Sequence, residues 1–466
     1  MFAPSLDSGK AFLQTGPFGT ALKANEYTVT GVPLISVREI REGYFQIEEA
    51  TPRVDQSVLS RLPKFVLKTG DIVFARKGGI ERNALITETE NGWFLGSDGI
   101  FLRFTDDNDS RFFSYVMRSP SVKAWLIKNC EGTTMPSLNQ KILSRLPVYV
   151  PLLEEQMKVA DWLEALDNKI TLNRQINQTL EQMAQALFKS WFVDFDPVVD
   201  NALDAGFFEQ DLAFPDELLR RAEARKAVRD STASLEKSKP LPDAIRQLFP
   251  AAFEECAEPS LGLGGWVPQG WKPSNVGAEF DVTMGQSPPG STYNEIGDGM
   301  PFFQGKTDFG FRFPSNRVYC TEPKRLARKH DTLISVRAPV GDINLAAEDC
   351  AIGRGLAAAR HKSGSISFSY YSMNSLSKYF EVFEGEGTVF GSINQKDFNA
   401  LPLIQYPSEL ITKFGEHCER WDQRIENITV EVLALTSLRD TLLPKLISGE
   451  LRLDEIEVDI AEQGVA

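Results

Sequence analysis

Cysteine and histidine are scarce in this sequence, and neither residue type forms a cluster. The cysteines are odd in number and contain no C-x-x-C pair, which argues against a disulfide framework or a zinc ribbon; they are Cys130, Cys256, Cys320, Cys350 and Cys418. The 3 histidines lie far apart, so a histidine-centred metal site or catalytic triad has little material. The chain has no basic N-terminal segment before an apolar core and no run of about 18 apolar residues, so we expect a cytoplasmic protein with no membrane partner.

Net positive charge is missing as well, since the formal net charge is −14. The acidity is uneven along the chain. Residues 1–150 carry 18 basic and 16 acidic side chains, and residues 261–406 carry 14 of each. Each of these two near-neutral regions can present a local basic face, so the overall charge does not exclude a DNA partner.

A tandem repeat organises the sequence. The run SLNQK at residues 137–141 recurs as SINQK at residues 392–396, an offset of 255 residues. The same offset relates further pairs, namely Gly132 and Thr133 to Gly387 and Thr388, and Leu146 and Pro147 to Leu401 and Pro402. Upstream, the run DIV at residues 71–73 before Arg76 resembles DTL at residues 331–333 before Arg337. The chain therefore reads as a duplication of a unit of about 200 residues.

Each repeat contains a long segment in which mostly apolar residues, with two asparagines among them in the first copy, recur at alternating spacings of three and four. In the first repeat these positions are Leu163, Leu166, Ile170, Asn173, Asn177, Leu180, Leu187 and Trp191. In the second they are Trp421, Ile425, Ile428, Val432, Leu435, Leu442 and Leu446. A heptad pattern of this length predicts coiled-coil packing, and the matched register favours the two helices pairing antiparallel with each other. The alternative is two independent amphipathic helices.

The remaining part of each repeat mixes β-rich runs, turn signals and a short helix, which predicts an α+β fold class. Between the first helix and the second domain lies a charged, partly helical segment without a counterpart in the first repeat. We interpret it as an insertion or linker. Only about a dozen residues precede Gly16, so we expect a shortened opening strand in the first domain.

Catalytic signatures are incomplete. The run GMPFFQGKT at residues 299–307 has five residues between its glycines, whereas a P-loop needs four. Asp308, Glu322 and Lys324 are residue types of a metal-dependent nuclease, but the first repeat lacks the trio. We therefore expect no catalytic residues and no metal site in this chain.

Two long segments together with the duplication resemble the DNA-specificity subunit of Type I restriction-modification systems. The resemblance lies in the run from LPVYVPLLEEQ to FVDFDPV, its repeat from LPLIQYPSEL to LISGELRL, the approach WVPQGW and the run GPFGTALKANEYTVTGVPLISV. It implies two mixed α/β target-recognition domains separated by two conserved helices that form an antiparallel coiled coil with pseudo-two-fold symmetry. The implied segments are target-recognition domains at 1–151 and 263–406, helices at 152–195 and 407–449, an insertion at 196–262 and an acidic tail at 450–466.

The same resemblance implies a non-catalytic subunit that recognises a bipartite double-stranded DNA target, with each domain reading one half in the major groove. The helices would set the spacing and dock two methyltransferase subunits, and restriction subunits would join through them. S-adenosylmethionine, ATP and Mg²⁺ would then act on those partners, and no cofactor would be bound by this chain.

Candidate DNA-binding residues are polar and basic side chains in the predicted loops. Those near the repeated motifs are Arg76, Lys77, Thr133, Thr134, Asn139, Gln140 and Lys141 in the first copy and Arg337, Thr388, Asn394, Gln395 and Lys396 in the second. The S-x-N-Q-K motif is equally compatible with helix capping and with phosphate contact. Candidates for copy-specific base reading are Lys23, Arg82, Lys306, Arg312 and Arg317. Two other hypotheses stay open: a standalone metal-dependent nuclease, and a helical scaffold without base readout.

Overall fold

The structure is a computed structural model that describes residues 11–132, 135–233, 241–383 and 391–453. It divides into two compact units, one formed by residues 1–174 with 429–466 and the other by residues 175–428. Three candidate residues, Thr133, Thr134 and Thr388, lie outside the described residues, as does the acidic tail from residue 454. Within the described ranges, no helix combines the length and the apolar character that a bilayer crossing requires.

The first unit contains two sheets and short helices before a long helix. Its elements are β1 (Ala11–Thr15), β2 (Val32–Ile35), β3 (Arg53–Val54), α1 (Gln56–Arg61), β4 (Ile72–Ala75), β5 (Asn83–Leu85), β6 (Phe94–Leu95), β7 (Gly99–Phe104), α2 (Ser110–Arg118), α3 (Pro120–Asn129), α4 (Gln140–Ser144) and α5 (Leu153–Phe188). An antiparallel sheet has the order β1-β7-β4-β5, and a smaller mixed sheet has the order β3-β2-β6. Strand β4 is buried at every position, which explains its unbroken apolar run.

The second unit repeats this construction and adds the insertion. Its elements are α6 (Asp196–Asp204), α7 (Asp216–Ala233), α8 (Asp243–Arg246), β8 (Phe253–Glu255), β9 (Trp266–Pro268), β10 (Lys272–Asn275), α9 (Val276–Glu279), β11 (Phe280–Met284), β12 (Tyr293–Asn294), β13 (Met300–Phe303), β14 (Tyr319–Cys320), β15 (Leu326–Ala327), β16 (Thr332–Val336), β17 (Val340–Leu345), β18 (Cys350–Ile352), β19 (Leu356–His361), α10 (Ile366–Ser375), α11 (Ser377–Glu381), α12 (Gln395–Ala400), β20 (Pro402–Gln405) and α13 (Ser408–Ser448).

The main sheets of the two units have the same topology. The order β11-β19-β16-β17 in the second unit matches β1-β7-β4-β5 in the first, and both sheets are antiparallel. A bidentate ion pair between Arg103 and Asp71 also has a counterpart, between Arg360 and Asp331. Strands β1 and β11 each span 5 residues, and because the residues before Ala11 lie outside those described, the shortened opening of the first domain stays a prediction.

A glycine follows the opening strand in both units for the same steric reason. A Cβ on Gly16 would lie 1.8 Å from the Gly96 carbonyl oxygen, and a Cβ on Gly285 would lie 2.1 Å from the Gly353 carbonyl oxygen. In each unit, the backbone that follows the opening strand therefore passes so close to the turn before the neighbouring strand that only glycine fits.

In the first unit, the start of α5 packs against the end of α13. Leu163 of α5 is fully buried in a core that includes Leu446 of α13. Arg439 donates to Asp167 at 2.7 Å, and Lys169 pairs with Glu431 at 3.2 Å. As the residue numbers rise along α5, the numbers of the α13 residues that they contact fall, so the two segments are antiparallel. Helix α13 ends where Gly449 adopts a left-handed φ of +73°, as expected for a helix stop.

In the second unit, the end of α5 packs against the start of α13 in the same sense. The rings of Phe188 and Phe414 have centroids 5.6 Å apart, and Trp191 lies in a π-helical turn (Lys189–Val193) against the same phenylalanine. Asn177, a polar residue of the heptad pattern, is buried and donates to the Ile425 carbonyl at 3.5 Å. The prediction of two long helices packed antiparallel is confirmed.

The heptad positions are all turned inward to some degree. None of the predicted seam residues is exposed, although burial is complete at only some of them, such as Ile170 and Ile428. Leu166, Leu180 and Leu435 are half-buried. The insertion contributes to the core of the second unit through buried apolar residues, namely Phe207, Leu218, Ile245, Phe249 and Phe253.

Candidate nucleic-acid interface

The first S-x-N-Q-K loop lies beside the end of strand β4. Backbone hydrogen bonds hold it there, from Gly78 N–H to the Pro136 carbonyl at 3.0 Å and from Leu138 N–H to the Arg76 carbonyl at 2.8 Å. Lys77 and Ser137 form the bridge between the two segments. The fold thus brings together candidates that lie about 60 residues apart in the sequence.

The second loop is held in the same way beside the end of β16. Ala338 N–H donates to the Gly391 carbonyl at 2.9 Å, and Ile393 N–H donates to the Val336 carbonyl at 3.1 Å. Arg337 and Ser392 form the corresponding bridge. The counterpart of Arg337 is therefore Lys77, and the sequence pairing of Arg76 with Arg337 is wrong by one position, because Arg76 occupies the place of the buried Val336.

The asparagines of the two motifs cap short helices. The Asn139 side chain accepts from Ile142 N–H at 2.9 Å at the start of α4, and the Asn394 side chain accepts from Asp397 N–H at 3.0 Å at the start of α12. Capping, one of the two interpretations that the sequence left open, accounts for these side chains. The lysines that end the motifs, Lys141 and Lys396, are exposed, as is Gln395.

A groove of about 660 Å³ in the first unit gathers several candidates. Its lining residues include Arg76, Asn139, Gln140 and Lys141 from the predicted set, together with Gln14, Thr15, Phe18 and Lys64. Gln140 donates to the Thr15 hydroxyl at 3.1 Å, which connects the loop to strand β1. The groove lining is largely apolar, includes the basic side chains of Lys64, Arg76 and Lys141, and contains an aromatic ring that is 55% exposed, at Phe18.

The other candidates have different surroundings. Lys23 is exposed, and the half-buried Arg82 lies across Gly79. Lys77 pairs with Asp98 at 3.4 Å and Lys306 with Asp342 at 2.7 Å. Arg317 is exposed and pairs with Asp308 at 2.8 Å, and this ion pair raises the pKa of the guanidinium.

The prediction that Arg312 contacts DNA is wrong, because its side chain is only 1% exposed. It donates to Glu181 of α5 at 2.8 Å, to Asp422 of α13 at 2.5 Å and to the Tyr371 hydroxyl at 3.2 Å. Its guanidinium also stacks over the Tyr370 ring at 4.6 Å. In this structure Arg312 ties its own domain to both long helices of the second unit and has no surface left for DNA.

Burial governs the ionisation of this cluster. Desolvation raises the pKa of Glu181 above its ordinary value, against the opposing attraction of Arg312. Burial raises the pKa of the Tyr371 hydroxyl as well. The cluster is therefore a structural network in which each charge depends on its partner.

The incomplete catalytic patterns do not assemble into a site. Asp308 is buried and occupied by Arg317, while Glu322 and Lys324 are exposed. In the part of the chain that the structure describes, no three His, Cys, Asp or Glu side chains are grouped so that they could hold a metal ion.

Comparison with known proteins agrees with this construction. Residues 18–182 match the family model for the Type I restriction modification DNA specificity domain. The type I restriction enzyme MjaX specificity subunit of Methanocaldococcus jannaschii is 26% identical over 447 residues, which cover 93% of this chain and 90% of the relative. The HindI specificity subunit of Haemophilus influenzae is 28% identical over 380 residues, which cover 76% and 77%. Residues 18–182 are therefore similar to the Type I restriction-modification DNA specificity family.

A similar fold is found among solved structures. The crystal structure of a Type I restriction-modification system S subunit from M. genitalium aligns with a TM-score of 0.54 at 16% identity and covers 95% of each chain.

The sequence alone did not indicate three residues that line the groove, Phe18, Lys64 and Gln14. A comparison of the two copies could have indicated Phe18. It lies two residues after Gly16, whereas a serine lies two residues after the equivalent Gly285, so the aromatic ring is specific to the first copy.

Proposed function

We propose that this chain recognises a bipartite double-stranded DNA target as the non-catalytic specificity subunit of a Type I restriction-modification complex. Residues 1–151 and 263–406 are the two target-recognition domains of this proposal, and each reads one half of the target in the major groove. One observation supports this proposal most strongly. Each domain holds an S-x-N-Q-K motif beside the end of an equivalent strand, β4 in the first and β16 in the second, with exposed cations on the loop. Two copies of one construction suit two half-sites.

Exposed cations at equivalent places take the role of phosphate contacts. Lys77 and Arg337 form the bridges, and Lys141 and Lys396 end the motifs. Contacts of this kind position a protein on the duplex without reading sequence. Residues that differ between the copies, among them Lys23, Arg82, Lys306 and Arg317, are the candidates for reading bases.

The long helices serve the partner subunits in this proposal. Helix α5 exposes Leu172, and helix α13 exposes Val430 and Leu433, although both helices have well-covered inner faces. Exposed apolar side chains on a helix of this kind suit protein contact. We propose that two methyltransferase subunits dock there, that restriction subunits join the assembly, and that S-adenosylmethionine, ATP and Mg²⁺ act on those subunits.

Sequencing of modified bases in the host tests the proposal. Deletion of the gene should abolish modification at one two-part motif across the genome, and a plasmid copy should restore it. Purified chain alone, incubated with DNA, Mg²⁺ and S-adenosylmethionine, should neither cleave nor methylate. Modification that persists after deletion contradicts the proposal, and cleavage by the purified chain favours the nuclease hypothesis instead.

A further inference from the structure

Phe18 and Arg76 form a pair on the groove of the first unit. The Arg76 guanidinium lies over the Phe18 ring, 4.5 Å from its centroid. Its hydrogen bond within the described ranges is a long one, 3.4 Å to the Ser97 carbonyl. Since a guanidinium has five N–H donors, most of them remain available to a ligand.

The position of Phe18 is fixed by the backbone although its ring is more than half exposed. Gly16, two residues before it, donates its N–H to the Gly99 carbonyl at 3.0 Å and packs directly against Gly96. The Phe18 carbonyl then accepts from Ala21 N–H at 3.2 Å in the following turn. An exposed aromatic ring held in this way is prepared for contact at little cost in conformational entropy.

The pair is absent from the second domain. Gly285 N–H donates to the Leu356 carbonyl as Gly16 does to Gly99, so Ser287 is the counterpart of Phe18. The counterpart of Arg76 is Val336, which is buried. Both members of the pair are therefore specific to the first copy, whereas the neighbouring Asn and Lys of the motif occur in both.

We propose that Phe18 and Arg76 read two adjacent base pairs in the half-site of the first domain. Arg76 donates to the O6 and N7 acceptors of a guanine, and Phe18 packs against the 5-methyl group of the neighbouring thymine. An arginine fork matches guanine in the major groove, and an apolar side chain matches the thymine methyl. This inference rests on the proposed function and adds to it the bases that the first domain recognises.

The test uses the complete chain assembled with the methyltransferase of its own system. The probe is a duplex that carries the mapped target, together with copies in which uracil replaces thymine or 7-deazaguanine replaces guanine in the first half. Loss of the methyl group should weaken binding by the unaltered complex about fourfold, given about 0.8 kcal/mol per buried methyl-sized group. Phe18→Ser, which installs the residue of the second domain, should bind thymine and uracil duplexes equally.

Arg76→Ala should lose between about 5-fold and about 150-fold in preference for the guanine and should become insensitive to 7-deazaguanine. Ser287→Ala in the second domain is the matched control and should leave both sensitivities intact. Because Phe18 is uncharged, its variant should keep the salt dependence of binding.

Several results overturn the inference. They are a first half-site without adjacent guanine and thymine, a Phe18→Ser complex that still distinguishes thymine from uracil, and an Arg76→Ala complex that loses affinity equally for target and unrelated duplex. In each case the unaltered complex still prefers its target, so the proposed function stands. A complex without any preference for the target duplex contradicts the proposed function itself.

Discussion

Arg312 shows how strongly one side chain can depend on its partners. Arg312→Met keeps most of the side-chain length but leaves the buried Glu181 and the half-buried Asp422 without a cation. Loss of one partner from a buried ion network costs about 3–5 kcal/mol of unfolding free energy. Urea unfolding measures this loss, and Lys306→Met serves as the control, because the side chains of Lys306 and its partner Asp342 are 46% and 43% exposed and such a surface pair contributes at most about 1 kcal/mol. Equal losses in the two variants contradict the structural role of Arg312.

Asn139 separates capping from DNA contact at a single position. Asn139→Ala should lower the unfolding free energy by about 1 kcal/mol, because Ile142 N–H loses its acceptor, whereas Asn139→Ser keeps a capping oxygen and should be nearly neutral. Both variants are compared by thermal and urea unfolding. If serine destabilises as much as alanine does, capping is not what this side chain contributes.

The long helices are the elements whose pairing has the largest energetic consequence. Leu163 is fully buried in the first unit, so Leu163→Asp should place a charge in an apolar core and cost several kcal/mol of unfolding free energy. Leu172→Asp is the matched control on the same helix, because Leu172 is 53% exposed. Chemical unfolding should show a large loss for the first variant and a loss below about 1 kcal/mol for the second. Similar losses contradict the observed packing of α5.

The elements also show what the sequence could and could not predict. The spacing of Leu163, Ile170 and Ile428 predicted the helices and their inner faces, because a heptad pattern depends only on local periodicity. The pattern could not show that Arg312, remote in sequence from both helices, completes a buried network with Glu181 and Asp422. Arg312 stands between Phe311 and Phe313, but these apolar neighbours do not identify the carboxylates that pair with it, since its partners are chosen by the tertiary fold.

The candidate site shows the same division. Repetition in the sequence located the S-x-N-Q-K loops, and the fold placed each beside a strand end about 60 residues away. The alignment of the two copies by sequence was nevertheless wrong by one residue at this point. It made Arg76 the equivalent of Arg337, because sequence spacing cannot resolve backbone register. The structure pairs Lys77 with Arg337 and so reveals Arg76 as specific to the first copy.

For the whole molecule, salt dependence is the clearest sign of phosphate contact in an acidic protein. The affinity of the assembled complex for its target should fall steeply as salt concentration rises, because lysines and arginines release condensed counterions. Lys141→Ala and Lys396→Ala should each reduce the slope of log K against log salt by about 0.9. A flat salt response of the unaltered complex contradicts phosphate binding by these loops.

Exchange of one domain tests most directly whether two separate readers act in this molecule. Residues 1–151 are replaced by the corresponding domain of a relative with a different target, the hybrid is expressed with its methyltransferase, and modified bases are mapped by sequencing. We predict that one half of the two-part motif changes to that of the donor and the other half stays as before, since each domain carries its own sheet and its own S-x-N-Q-K loop. If both halves change, or if neither changes in a hybrid that still modifies DNA, the two-reader architecture is contradicted.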